Sequence, residues 1–314
     1  MRYLKNIYSL FKETIEGWGQ SNGTLLAAAM AYYATFSLAP LLVVAVSIAG
    51  LFFGVSAVKD TLIQELSSIV NPEIANVIES SITESGFTKI DSLATLISIS
   101  ALIIGASILF VQLKRAINLL WGITLQPGAG LLVMVKTHFL SFLMVLLMGV
   151  LLIFAMAMGA TIISIQKHFQ FLPPILDQYL SILNISLMFI FFSFLFAIIF
   201  KTLPEAKVAW KDVLLGAMFT SILLTIGEFL IGNYLSRIKL GGALGAASST
   251  ILVLIWIYFT MQIILIGAKF TQVYANKYGS QIQPNEKADL IIWGQKRNGY
   301  ERATKKETDQ SKDK

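Results

Sequence analysis

Glu228 is the only ionisable side chain in the apolar stretch 213–232. At helical spacing it shares a face with Ala217, Ser221, Thr225 and Gly232. Carboxylates inside a membrane are expensive and mark candidate functional sites. One reading makes Glu228 a group that couples protons or meets a cargo. The other makes it structural, hydrogen-bonded to a neighbouring helix or solvated near the interface. Tyr258, Gln262 and Lys269 form a comparable stripe in the last apolar stretch. Gln262 can bond across helices, and Lys269 is expected to snorkel to the headgroups. The first stretch carries Ala27, Ala28, Ala31, Ala34 and Thr35 and then Pro40 in mid-span. Small residues allow close helix approach, and the proline predicts a kink that frees the carbonyl of Phe36.

Other chemistries lack their residues. The sequence has two histidines, His138 and His168, and no cysteine. Thirty helical residues span about 45 Å, so the histidines cannot share a metal. No Gly-Lys-Ser/Thr loop is present to cradle a nucleotide phosphate. No enzyme activity, metal or other cofactor, or ATP drive from this chain alone is therefore expected.

The elements that would position these residues are transmembrane helices. The chain has 314 residues, 56% of them hydrophobic and 13% charged, against about 25% charged in soluble domains. Apolar runs lie at about 24–54, 93–113, 138–165, 179–200, 213–232 and 246–268, and a spanning helix needs about 20 residues. The expected fold is an all-α, polytopic bundle of six transmembrane helices. Nothing shows the alternation of a membrane β-barrel.

Basic residues set the expected orientation. Nineteen of the 24 fall before the first run, between the second and third, between the fourth and fifth, or from Lys269 onward. Lysine and arginine gather on the cytoplasmic side, so both termini are expected inside. The net charge of +6 is thus read as facing anionic headgroups, not nucleic acid. Trp18, Trp121 and Trp210 are expected at the interface. The first external loop, 55–92, holds two apolar-periodic stretches divided by Pro72, read as short amphipathic helices over the membrane. Gly241, Gly242 and Gly245 form a hinge or a tight turn. Residues 1–275 make the six-helix domain, and residues 276–314 a charged, flexible cytoplasmic tail.

Three stretches taken together resemble the YihY/BrkB family of bacterial inner-membrane proteins. They are LAAAMAYYATFSLAP at 26–40, LKRAINLLWGI at 113–123 and GAASSTILVLIWIYFTMQIILIGAKFTQVYA at 245–275. The likeness runs from the first apolar run to the last and rests on their order and spacing. Family-like positions are Ala31, Tyr32, Tyr33, Ser37 and Pro40, then Asn118, Trp121 and Gly122, then Trp256, Tyr258, Leu265, Gly267 and Ala268. Family members usually carry glutamate where this chain has Lys269. The family was once labelled a ribonuclease, which the missing metal ligands argue against. Its members are associated with envelope integrity and serum resistance, and one branch with movement of lipopolysaccharide precursors.

The resemblance implies a multi-pass protein of the bacterial plasma membrane and an ATP-independent transporter or flippase of a lipid or lipid-linked molecule. Its candidate contacts are Glu228, Ser221, Thr225, Gln262, Tyr258, Pro40, Tyr32, Tyr33 and Asn118. The alternative is a non-transporting scaffold that supports envelope integrity, which the scarcity of intramembrane charge favours.

Overall fold

A computed structural model describes residues 2–37, 93–125, 140, 143, 144, 146, 147, 150, 174–235, 246–285 and 288–290. Pro40, the 55–92 loop, both histidines, the Gly241–Gly245 cluster and residues 291–314 lie outside the described residues. Helix α1 covers Arg2–Gln20 and α2 covers 23–37. Helices α3 (Leu93–Leu120), α4 (Pro174–Thr202), α5 (Trp210–Leu235) and α6 (Ala246–Tyr278) follow. Three contain segments long and apolar enough to cross a membrane: Ile185–Thr202, Trp210–Gly232 and Ile251–Tyr278.

Local sequence explains where the helices stop. Gly122 follows α3 with φ 69°, the left-handed conformation that ends helices and that side chains resist. Pro204 stands just past α4, where it cannot continue the hydrogen-bond ladder. Between α1 and α2 the chain turns at Asn22, with φ 53°, a conformation asparagine tolerates better than most residues. Gly23 opens α2 because a side chain there would collide with the Trp18 indole.

Helices α5 and α6 pack antiparallel through a reciprocal notch. A methyl on Gly216 would strike the Thr271 side chain, and one on Gly267 would strike Thr220. Each threonine hydroxyl donates to a carbonyl of its own helix, Thr220 to Gly216 at 2.7 Å and Thr271 to Gly267 at 2.8 Å. Each glycine thus receives the facing threonine while no hydroxyl is stranded. Small residues at such crossings let backbones approach closely, and dispersion then holds the helices. Ala217, Leu224, Leu252, Leu265 and Ala268 fill the same seam.

The core also takes Met30, Ala31 and Ala34 from α2, Ile117 and Leu120 from α3, and Phe196 and Phe200 from α4. The outside of α4 and α5 is apolar as well: Ile185, Ile190, Leu215, Met218, Ile222, Ile226 and Phe229 are exposed. Continuous exposed apolar surface of this kind suits hydrocarbon, not water.

Four short strands tie the loops together. Strand β1 (Ile123–Leu125) pairs antiparallel with β4 (Ala288–Leu290), and β2 (Ala206–Lys207) with β3 (Gln283–Pro284). Helix α6 runs on to Tyr278, and residues 279–285 and 288–290 fold back over the ends of α3 and α4.

Candidate functional site

Two polar regions stand out, and they are built differently. The first is a joint where the C-terminal ends of α3, α4 and α6 meet the start of α5. A helix leaves its last carbonyls without intrahelical donors. Here α6 supplies donors to α3: Lys269 Nζ reaches Leu120 O at 2.8 Å, and Gln272 Nε2 reaches Trp121 O at 2.7 Å. Lys269 also donates to Gln272 Oε1 at 2.7 Å, which fixes both side chains. In return, Trp121 Nε1 donates to Ala268 O at 2.8 Å.

Lys269 is therefore turned inward as a cap on α3, not outward to headgroups. A cation there also opposes the negative end of the helix dipole. A carboxylate at this position would face two carbonyl oxygens that it cannot bond. Trp121, expected at the interface, is instead fully buried, whereas Trp210 is exposed.

Glu205 is the second centre of the joint. Its carboxylate pairs with Lys114 at 2.6 Å and accepts from Asn285 Nδ2 at 3.1 Å. Its backbone N–H donates to Asn118 Oδ1 at 3.0 Å, and its carbonyl accepts from Asn285 N–H at 3.0 Å. One residue after α4 thus binds α3 to the returning C-terminal segment. Lys201 donates to Val208 O and lies over the Trp210 ring. Asp212 accepts from both the N–H and the hydroxyl of Ser280, each at 2.8 Å. Gly279 leaves the room that Asp212 needs.

The second region lies in the spans. Ser221 is buried, and among the described residues its Oγ has no hydrogen-bond partner; the same holds for Gln262 Oε1 and for Ser193 Oγ on α4. Buried polar atoms are nearly always paired, so three orphans on adjacent helices are unusual. Thr225 donates to Ser221 O at 3.0 Å. Glu228 is half-buried, and no hydrogen bond or ion pair to it occurs among the described residues. Gly227 lies against Ile263, which puts Glu228 and Gln262 at about the same depth on facing helices. Tyr258, half-buried one turn from Gln262, stacks edge-on with Phe259.

The candidates named from sequence therefore divide. Ser221, Thr225, Glu228, Tyr258 and Gln262 share the α5–α6 pair. Asn118 belongs to the joint, as a bracket for Glu205. Tyr32 is 58% exposed and packs its ring on Tyr33 and Phe36. Ser193, Glu205 and Gln272 escaped the sequence reading. A lone serine in a phenylalanine-rich run carried the signal for the first; the other two depend on partners far along the chain.

Five of the thirteen positions that carried the family resemblance have structural reasons. Asn118, Trp121, Gly122, Gly267 and Ala268 are parts of the joint or of the glycine–threonine notch. The profile of the family described as Virulence factor BrkB matches residues 14–291. Curated relatives are membrane proteins described as UPF0761. One from Pseudomonas paraeruginosa is 26% identical over 247 residues, 77% of this chain and 57% of its own length. One from Saccharophagus degradans is 24% identical over 278 residues, 86% of this chain and 59% of its own length. One from Alkalilimnicola ehrlichii is 23% identical over 253 residues, 80% of this chain and 54% of its own length. The chain thus spans little more than half the length of these relatives. No solved structure matches. With the family profile covering most of the sequence and apolar helices of spanning length, the chain is a multi-pass membrane protein that belongs to the BrkB family.

Proposed function

We propose that this chain moves a lipid or lipid-linked amphiphile across the bacterial inner membrane without ATP. The observation that carries this reading is a set of polar groups in the spans without partners among the described residues: Ser221 Oγ, Gln262 Oε1 and the Glu228 carboxylate. A folded interior strands such groups only at some cost, and a passing headgroup or water file would satisfy them. Glu228 would exchange protons or meet the cationic part of a headgroup. Basic residues of the cytoplasmic face would hold anionic headgroups close to the entrance.

The proposed topology is six crossings with both termini inside. It is supported by the joint, where α3, α4 and α6 end and α5 begins. The chain between Gly23 and Leu93, and again between Leu125 and Pro174, then crosses an odd number of times. A cysteine at exposed Lys211 should resist an impermeant thiol reagent from outside, while cysteines at Ser81 and Gln170 should react. Labelling of Lys211→Cys from outside would overturn the orientation.

A scaffold that supports envelope integrity is the second reading. One observation favours it: Glu228 is the only Asp, Glu, Lys or Arg within 185–200, 213–232 and 251–268. Proteoliposomes carrying fluorescent lipids, with and without an imposed proton gradient, separate the two. Translocation above that of empty vesicles supports transport, and its absence for every lipid class supports the scaffold.

A further inference from the structure

Helix α1 has no place among the six apolar runs, yet it is folded and firmly seated. Its residues sort into two arcs at helical spacing. Leu4, Ile7, Tyr8, Leu10, Phe11, Ile15 and Trp18 fall on one side; Lys5, Asn6, Ser9, Lys12, Glu13 and Glu16 fall on the other. Among the described residues, one margin of the apolar arc is buried against protein, and Phe11 touches it with one side of its ring. Leu10 and Thr14 are buried, and Gly17 receives the stem of Lys269, which any side chain there would hit. On the polar margin, Glu13 pairs with Lys277 of α6, and Ser9 accepts from the same ammonium at 3.1 Å.

The rest of the apolar arc is uncovered. Ile7, Tyr8, Phe11 and Ile15 are each more than two-fifths exposed. Their position decides what covers them. Phe11 packs against Phe219 of α5 and Phe270 of α6, with ring centroids 5.6 and 6.0 Å away. Beside Phe219 lie Leu215, Met218 and Ile222, exposed on the outer face of the span. The bare arc of α1 is therefore continuous with the surface that α5 turns to hydrocarbon. The polar arc points away, toward the end where the joint lies. The turn at Asn22 then sends the chain into α2 in a new direction.

We propose that α1 lies in the headgroup layer of the leaflet at the joint, with Ile7, Tyr8, Phe11 and Ile15 immersed among the acyl chains. A two-sided helix of low mean apolarity suits this depth, since such helices bury one face about 5–10 Å into the boundary. Lys12 is placed to reach lipid phosphates, and Glu13, the acid nearest α6, is already engaged by Lys277. The occupant of this face is the bilayer itself, and α1 is a float that couples the joint to the leaflet through Gly17 and Lys269.

The absence of native cysteine makes the test direct. Single cysteines at Ile7, Tyr8, Ile15, Ser9 and Glu16 of the full chain are spin-labelled and reconstituted in phosphatidylethanolamine–phosphatidylglycerol vesicles. Collision rates are then measured with oxygen, which partitions into lipid, and with a water-soluble nickel chelate. Labels at Ile7, Tyr8 and Ile15 should favour oxygen several-fold over the chelate, and those at Ser9 and Glu16 should show the reverse. Chelate access at Ile7, Tyr8 and Ile15 equal to that at Ser9 would place the face in water and overturn the proposal. Shielding from both reagents would overturn it equally, by showing a second copy or another protein on the face.

Discussion

The joint pairs its polar side chains with one another and with backbone, whereas the stripe in the spans leaves several of its own without partners among the described residues. At the joint, Lys114, Asn118, Glu205, Lys269 and Gln272 each have named partners, and the carbonyls at the end of α3 are capped by side chains. In the stripe, Ser221 Oγ and Gln262 Oε1 have none among the described residues. Helix ends near the membrane surface must settle their own backbone groups, so a paired network there is what folding requires. Helix interiors have already satisfied their backbone. Polar side chains in the spans are thus free of that duty, and their retention calls for another reason.

If the comparison is right, substitutions in the two regions should separate stability from activity. The largest effect is expected at Glu205→Ala. It leaves Lys114 buried with one partner fewer and releases Asn285, at a cost of roughly 3 kcal/mol, read as a lower melting temperature of the purified protein. Gly267→Ala comes next, at about 2 kcal/mol, because its methyl would press on Thr220. The double variant with Thr220→Gly should recover part of this loss; no recovery would mean that the notch is not what the methyl offends. Trp121→Phe, which removes the donor to Ala268 O, should cost about 1 kcal/mol. Ser221→Ala should change stability least, within about 0.5 kcal/mol, yet slow translocation. A Ser221→Ala variant as unstable as Trp121→Phe would erase the distinction between the regions.

Much of this architecture was written in the sequence. Spanning helices follow from apolar runs, and the basic residues Lys114, Lys201, Lys269 and Lys277 sit at helix ends that do come together. The stripe on α5 was legible because helical spacing puts Ser221, Thr225 and Glu228 on one face. Other features depend on partners that no single segment reveals. Lys269 looks like a headgroup anchor until the carbonyl of Leu120 is brought beside it. Strands of two or three residues have no period to detect, so the return of the C-terminal segment over Glu205 left no mark. Helix α1 did carry a pattern in Leu10, Phe11, Ile15 and Trp18. Its lysines, counted for orientation, drew the reading away from its apolar arc.

The central claim is that the unpaired stripe serves passage across the membrane, and Glu228→Gln tests it most directly. The amide keeps the shape and hydrogen-bonding capacity of the carboxyl and removes its titration. Lipid translocation by wild-type and variant proteoliposomes is measured across a range of pH, alongside their melting temperatures. The expected variant melts within a few degrees of wild type but has lost translocation or its dependence on pH. A variant that translocates like wild type at every pH would contradict it and leave Glu228 a structural residue.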